Sequence, residues 1–333
     1  MADPFKEDVK VKMNEVGLTQ WLMKIVTVQG IDQDNPDSLV DNYKTPVPAS
    51  TKEEEKPIIG FDALELDYSI PFPLSLIVSR KTVLRYQLIF RYTLALRHLE
   101  TLLVDCWQEH SKGKSWINKS SDRRIESWKR RAWTLRARML VFVQQMLFFA
   151  TAEVIEPNWQ KLMAKVGEAQ TSEDPAEATA NGRPSKSKRT VDELMQDHLD
   201  MLDSCMKDLG LTQSKLLRIH AKLMSGCTLF ASYTTNLTRS LYAADPDLAS
   251  VPPAANGGPQ SRQVSSASTA EPDPNRIARM GDTLKKYEDH FNRHLKILID
   301  SLNYYAATET VVLLGLCARL TNAEVQKRDD FSI

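Results

Sequence analysis

Glycine is scarce in this chain, at 12 of 333 residues, and that is a low count for an enzyme whose chemistry is carried on loops. The motifs that would signal such chemistry are missing as well. There is no glycine-rich phosphate loop, no GxSxG nucleophile elbow, no HExxH pair and no carboxylate pair that differs from ordinary helix-surface charge. An excess of one charge is absent too. Lys plus Arg equals Asp plus Glu at 43 each, so the overall balance gives no argument for a polyanion-binding protein, and any electrostatic case must be local. The four cysteines, Cys106, Cys205, Cys227 and Cys317, are far apart and form no CxxC pair. Each sits in an apolar helical context, which predicts small core residues rather than a disulfide framework or a zinc site. The N-terminal stretch MADPFKEDVKVKM is charged and lacks an apolar centre. No run is read as approaching the roughly 18 apolar residues of a membrane span, so the expectation is a soluble, intracellular chain without a membrane partner.

What is present is helical periodicity broken by polar tracts. Residues 1–56 start with the amphipathic stretch KMNEVGLTQWLMKIV and decay into a connecting loop, QDNPDSLVDNYKTPVPASTKEEEK. In the lead-in FDALELDYSIPFPLSL, Leu64, Leu66, Tyr68 and Ile70 alternate with acidic or small residues, a strand-like period of two that Pro71 and Pro73 end. A second long helix is expected from about Asp122 to Glu156. Its stripe of Ile125, Trp128, Ala132, Leu135, Met139, Phe142, Met146 and Phe149 advances in steps of three and four. Glu156-Pro157 is read as a restart, with a shorter helix to about Val166. The tracts 167–189 and 245–276 have polar, small-residue compositions and are expected to be disordered insertions. Thr190-Val191-Asp192-Glu193 has the capping-box form, and Gly210 is placed to end the helix it opens. Another helix runs from Thr212 to the Asp245-Pro246 break, and a final pair spans about Ile277–Tyr305 and Thr308–Thr321. The fold class expected is therefore mostly α. It is a multi-helix bundle of long amphipathic helices with a short strand-like lead-in, arranged as a connecting segment 1–56, a helical domain 57–322 and a tail 323–333.

Two stretches invite a binding role. In SLIVSRKTVLRYQLIFRYTLALRHLETLLVDCW, Ser75–Trp107, the side chains of Arg80, Gln87, Arg91 and His98 fall within about 20° of one line on a helical wheel, between two apolar flanks. That narrow polar line is either a solvated strip at a helix boundary or a seam open to a partner. The second stretch is KSSDRRIESWKRRAWTLRAR, Lys119–Arg138, with eight basic and two acidic residues interleaved with Trp128 and Trp133. Basic residues with aromatics can follow a nucleic-acid backbone or face an acidic protein, and a solvated basic face is the plain alternative. The apolar stripe claims Trp128, which removes it from any stacking platform. His290 and His294 have metal-ligand spacing on one helix face, but no third ligand is identifiable, so a surface or boundary role is expected. His198 and His220 read as core histidines.

The order of several segments carries more. DPFKED near the start, PLSLIVSRKTVLRYQLIFR, RHLETLL, TLRARMLVFVQQM, EVIEPNWQKL and LMSGC together resemble the gamma-tubulin complex components, most closely the C-terminal half of component 2. The similarity spans nearly the whole chain outside the two polar tracts, whose length and composition suggest a fungal-type version. The ending ARLTNAEVQKRDDFSI departs from the family's usual Leu-Asp-aromatic close. The resemblance implies a non-catalytic helical scaffold that binds gamma-tubulin and positions it to template microtubule nucleation at a microtubule-organising centre or spindle pole, in the cytoplasm and cytoskeleton. It implies no cofactor, no metal and no nucleic acid, any nucleotide belonging to the tubulin. A separate N-terminal half, absent here, would contact neighbouring component 3-like subunits. On this reading Arg80, Lys81, Gln87, Arg91 and His98 are the candidate contact residues, with Arg136, Arg138 and Trp159 beside them, and Leu135, Met139, Phe142 and Met146 are core. The alternative is a nucleic-acid-binding helical module using segment 119–138, and a third reading is an enzyme with a metal centre at His290 and His294.

Overall fold

The computed structural model describes residues 9–13, 61, 64–170, 190–244, 274–308 and 312–323. Tracts 171–189 and 245–273, most of 1–56 and the tail from 324 lie outside them. The chain divides into two compact units. The first comprises Met1–Arg97, Met146–Ala221 and Leu302–Leu316, and the second His98–Gln145, Lys222–Ser301 and Cys317–Ile333. Helices dominate the described residues, as the periodicity predicts.

In the first unit, strand β1 (Val9–Met13) pairs antiparallel with β2 (Leu64–Tyr68), Val11 facing Leu66. The alternation of Leu64, Leu66 and Tyr68 foretells β2. Strand β1 is a correction, because VKVKM lies where only a connecting segment is expected, and a strand exists there only through its distant partner. A two-stranded ribbon is marginal alone. This one is fastened to helix α1 (Arg80–Lys112): Gln87 Nε2 donates to the Leu66 carbonyl at 3.0 Å, and Arg80 pairs with Asp67. Ser79 starts that helix, its Oγ accepting the Thr82 amide at 3.4 Å.

The short helix α2 (Lys114–Ile117) follows α1. Helix α3 (Arg123–Phe148) then passes into a π-helical segment, Phe149–Ile155, and on into α4 (Glu156–Gln170). The expected restart at Pro157 does not occur. The Glu156 amide donates to the Thr151 carbonyl five residues back, so the wider turn carries the chain past the proline with helical backbone on both sides. Gly167 and its neighbours to Gln170 continue α4 instead of opening the polar tract. By length and composition, Arg123–Gly167 meets the requirements of a membrane-spanning helix, against the expectation that no run approaches one. Its apolar content has a plain use, since Leu135, Met139, Phe142, Val143, Met146, Leu147, Phe149, Ala150 and Val154 are all buried.

Helix α5 (Val191–Asp208) packs against the π segment and α4. Its capping box is complete: the Glu193 amide donates to Thr190 Oγ1 at 3.2 Å and the Thr190 amide to Glu193 Oε2 at 3.1 Å. At the other end Gly210 takes φ +70°, its amide donating to the Lys207 carbonyl while the Leu211 amide donates to that of Met206. A side chain there would occupy the left-handed region and meet Leu216 at 3.0 Å. Gly210→Ala is expected to cost about 1–2 kcal/mol, read as a lower urea midpoint with an unchanged slope.

Helices α6 (Ser214–Ala244) and α7 (Pro274–Thr308) follow, and α8 (Leu313–Ala323) ends the described chain. They lie close to the expected positions with two differences: Pro274 brings 274–276 into α7 as its first turn, where proline is tolerated, and Thr308, expected to open the last helix, ends α7 instead, α8 starting at Leu313. In the second unit, Trp128 Nε1 donates to the Met280 carbonyl at 3.1 Å and Phe142 meets Phe291 edge-on, tying α3 to α7. Phe230 meets Tyr287 likewise, tying α6 to α7. At Gly226 a Cβ would lie 2.8 Å from His290 Nδ1, so the absent side chain lets these two helices approach. All four cysteines are buried and free.

Candidate docking surfaces

The polar line on α1 does not stay in water. Gln87 and Arg91 are 3% and 2% exposed, so two of its four members lie inside. Gln87 serves the ribbon, as described. Arg80 is exposed but committed to Asp67, which Lys12 also pairs with from β1. Burial alone would raise the Asp67 carboxyl, yet the bonds from Arg80 and Lys12 outweigh it and hold the group below the usual carboxylate range. Two members of the line, Arg80 and Gln87, thus fasten the helix to the ribbon. Polarity every three to four residues on a wheel cannot distinguish a wet seam from an internal tie, because the tie is made to a strand whose position the wheel does not contain.

Lys81 is half-buried, and His98 lies in the second unit, also half-buried. Trp159, on α4 in the first unit, is 43% exposed, and Met163 one turn on is exposed as well. Preceding α1, the turn around the 3-10 segment Leu74–Leu76 exposes Phe72, Leu74 and Leu76. These apolar side chains escape the sequence reading, which treats PFPLSL only as a stop for the strand. Two prolines flanking large apolar residues are the one sign that could have marked them. The accessible candidates of the first unit are therefore this apolar turn with Arg80 and Lys81 at its end, and the Trp159 face of α4.

The remaining candidates, Arg136 and Arg138, belong to the second unit and are both half-buried. Arg136 Nη1 donates to the Leu103 carbonyl at 3.5 Å, while Arg138 Nη2 donates to Asn292 Oδ1 at 2.7 Å and its guanidinium lies over the Phe291 ring. Both are engaged in holding helices together. Trp128 is buried, as the stripe requires, and so are Leu135, Met139, Phe142 and Met146.

The histidines take the places their surroundings suggest. His198 and His220 are buried, His198 Nε2 lying 2.7 Å from the Tyr86 hydroxyl and His220 against the Tyr92 ring. His290 and His294 are half-buried, their rings 4.2 Å apart, with His294 Nδ1 2.8 Å from the His290 carbonyl. Among the described residues no three metal-ligating side chains converge.

Long helices with committed polar groups inside and apolar or basic patches outside are what a helical binding or scaffold protein presents. Comparison with known proteins narrows the class. The family model for the gamma tubulin complex component C-terminal region matches residues 1–324, and the chain belongs to that family. It is similar to the spindle pole body component alp4 of Schizosaccharomyces pombe, 39% identical over 96% of this chain and 38% of that protein. It is also similar to gamma-tubulin complex component 2 of Mus musculus, 30% identical over 72% of this chain and 22% of that protein, and to component 2 of Arabidopsis thaliana, 28% identical over 72% and 29%. The chain thus spans well under half the length of the curated relatives it matches. The family is one of structural components rather than enzymes.

Proposed function

We propose that this chain is a non-catalytic scaffold domain that binds gamma-tubulin and holds it in position to template microtubule nucleation. The observation that carries the reading is membership of the gamma-tubulin complex component family across residues 1–324. The spindle pole relative supports a place at a microtubule-organising centre. The mechanism is geometric. Each scaffold fixes one gamma-tubulin beside the next, so the association entropy that opposes a nucleus is met by the assembly before tubulin arrives. Contacts with neighbouring components would be made by the parts of the longer relatives that this chain does not cover. The nucleic-acid alternative has no comparable support, and Trp128 is unavailable to a base.

Within the first unit the contact is assigned to Arg80, Lys81 and Trp159, together with the exposed turn Phe72–Leu76. Gln87 acts from inside, by holding α1 to the ribbon, and Arg91 is buried away from any partner surface. His98, Arg136 and Arg138 remain secondary candidates in the second unit. Basic residues facing an acidic partner surface speed encounter and select orientation more than they add affinity. Size-exclusion chromatography of the chain with purified gamma-tubulin tests the reading, the expected result being co-elution. Lys81→Glu and Trp159→Ala are expected to weaken binding by about tenfold each without a change in melting temperature. Elution of the two proteins apart would remove the proposal, and wild-type affinity in both variants would remove the surface.

A further inference from the structure

The basic stretch 119–138 has no part in the contact assigned above, and the structure sorts its charges. Glu126 Oε1 accepts the Ser120 amide at 3.0 Å and Lys129 Nζ at 3.2 Å. Asp122 is held by Arg124, through the backbone amide at 2.8 Å and the guanidinium at 3.2 Å. Both carboxylates of the stretch are consumed at home. Lys129 is fully buried and donates to the Asn118 carbonyl at 2.6 Å, and Arg131 forms a two-pronged pair with Glu288. Lys119, Arg123 and Arg130 are exposed and make no ion-pair contact among the described residues, the Glu126 carboxylate acting on Arg130 only at a distance. Arg123 and Arg130 stand seven residues apart and share one side of α3.

Apolar surface lies at the same place. Ile117 is 62% and Trp133 37% exposed. Two ties clamp the segment carrying Ile117 onto α3: the Lys129–Asn118 bond, and the Trp116 ring with its centroid 6.5 Å from that of Trp133. Exposed cations and exposed apolar groups are thus held together on a fixed frame. A solvated basic face needs no such apolar neighbours.

The geometry points to this end of α3 as a docking site for an acidic peptide segment that also carries apolar side chains. Its carboxylates meet Lys119, Arg123 and Arg130, and its apolar groups cover Ile117 and Trp133. Charge complementarity sets the sign of the partner, and the apolar flank separates it from a bare polyanion. A single nucleic-acid strand needs successive aromatic faces, and Trp128 and Trp116 are both buried. The site belongs to the second unit alone and does not rest on gamma-tubulin binding.

Fluorescence anisotropy of the purified chain tests it, with labelled synthetic peptides of mixed Glu and Leu as probe. The comparison probes are one with Lys for Glu, one with Ser for Leu, and an oligouridine strand. The Glu/Leu peptide is expected to bind, the Lys version not to bind, and the Ser version to bind about tenfold more weakly. Arg123→Glu with Arg130→Glu is expected to weaken the Glu/Leu peptide by about tenfold or more, with unchanged circular dichroism. Lys119→Glu, which lies outside the helices, reads the same surface without touching α3. Equal binding of all peptides, wild-type affinity in every variant, or displacement of the peptide by oligouridine would overturn the assignment.

Discussion

Trp116→Ala is expected to lower the stability of the second unit by about 3–5 kcal/mol, the range for removing a large buried aromatic side chain. Trp116 is 1% exposed, stacks on Trp128 with centroids 5.4 Å apart, and lies 4.0 Å from the His110 ring. Its Nε1 donates to Thr238 Oγ1 at 2.9 Å, and that hydroxyl donates in turn to Glu109 Oε1 at 2.7 Å. The short helix carrying it is four residues long, too short to hold itself, so packing of this ring, with the Lys129–Asn118 bond, is what fixes it. Truncation leaves a cavity among His110, Trp128 and Trp133 and strips Thr238 of a donor. Trp116→Phe keeps most of the contact and loses the hydrogen bond, for an expected cost of about 1–2 kcal/mol. Urea unfolding followed by tryptophan fluorescence reads both, because Trp107, Trp128 and Trp133 lie in the same unit. Equal midpoints for Trp116→Ala and the parent chain would mean that the stack carries no stability.

Acid should destabilise the chain well above the range in which carboxylates titrate. Burial pushes the His220 imidazole down to about 4, and burial with the Arg136 charge does the same to His110. In the unfolded chain both return to about 6.5. The folded state therefore binds fewer protons than the unfolded state between these values, and stability falls as pH drops from about 6.5 toward 4, with no contribution from these groups above that window. At 1.36 kcal/mol per pKa unit each histidine accounts for about 3 kcal/mol over the full window. Asp67 adds a further loss below the usual carboxylate range, where protonation releases Arg80 and Lys12. Melting temperatures across this window should drop steeply in the parent chain, and less steeply in His220→Leu and in His110→Phe. An unchanged slope in both variants would show that these rings are not the acid-sensitive groups.

The two expectations share a cause, which is the burial of residues that the sequence offers as polar or amphipathic. Apolar periodicity along α3 and into the π segment identifies a core face from Ile125 to Phe149, and the buried stripe follows that reading residue by residue. The capping box at Thr190 and the glycine at 210 are equally legible, because a cap satisfies backbone groups within a few residues of itself. Pro157 misleads for the opposite reason. A proline penalises an ordinary helical turn, and the sequence carries no mark that the preceding turn is widened to five-residue bonding. The amphipathic line of α1 fails at Gln87 and Arg91, both buried: Gln87 is drawn out of water by its bond to the Leu66 carbonyl of β2, a partner outside the helix.

The docking surfaces divide in the same way. The basic character of segment 119–138 is plain from composition, but which of its charges remain available is not, since Glu288 and Asn292, the partners of Arg131 and Arg138, come from α7. Exposure of Phe72, Leu74 and Leu76 is invisible to a rule that places large apolar residues inside.

Sequence by itself determined the helical class, the buried stripe of α3, the helix caps and the family, because each of these is written in local spacing or in the order of short segments. Tertiary structure alone decided which polar side chains are ties and which face water, and that the helix runs unbroken through Pro157. Burial and hydrogen bonding depend on partners brought together from distant parts of the chain, and spacing along one helix holds no record of them.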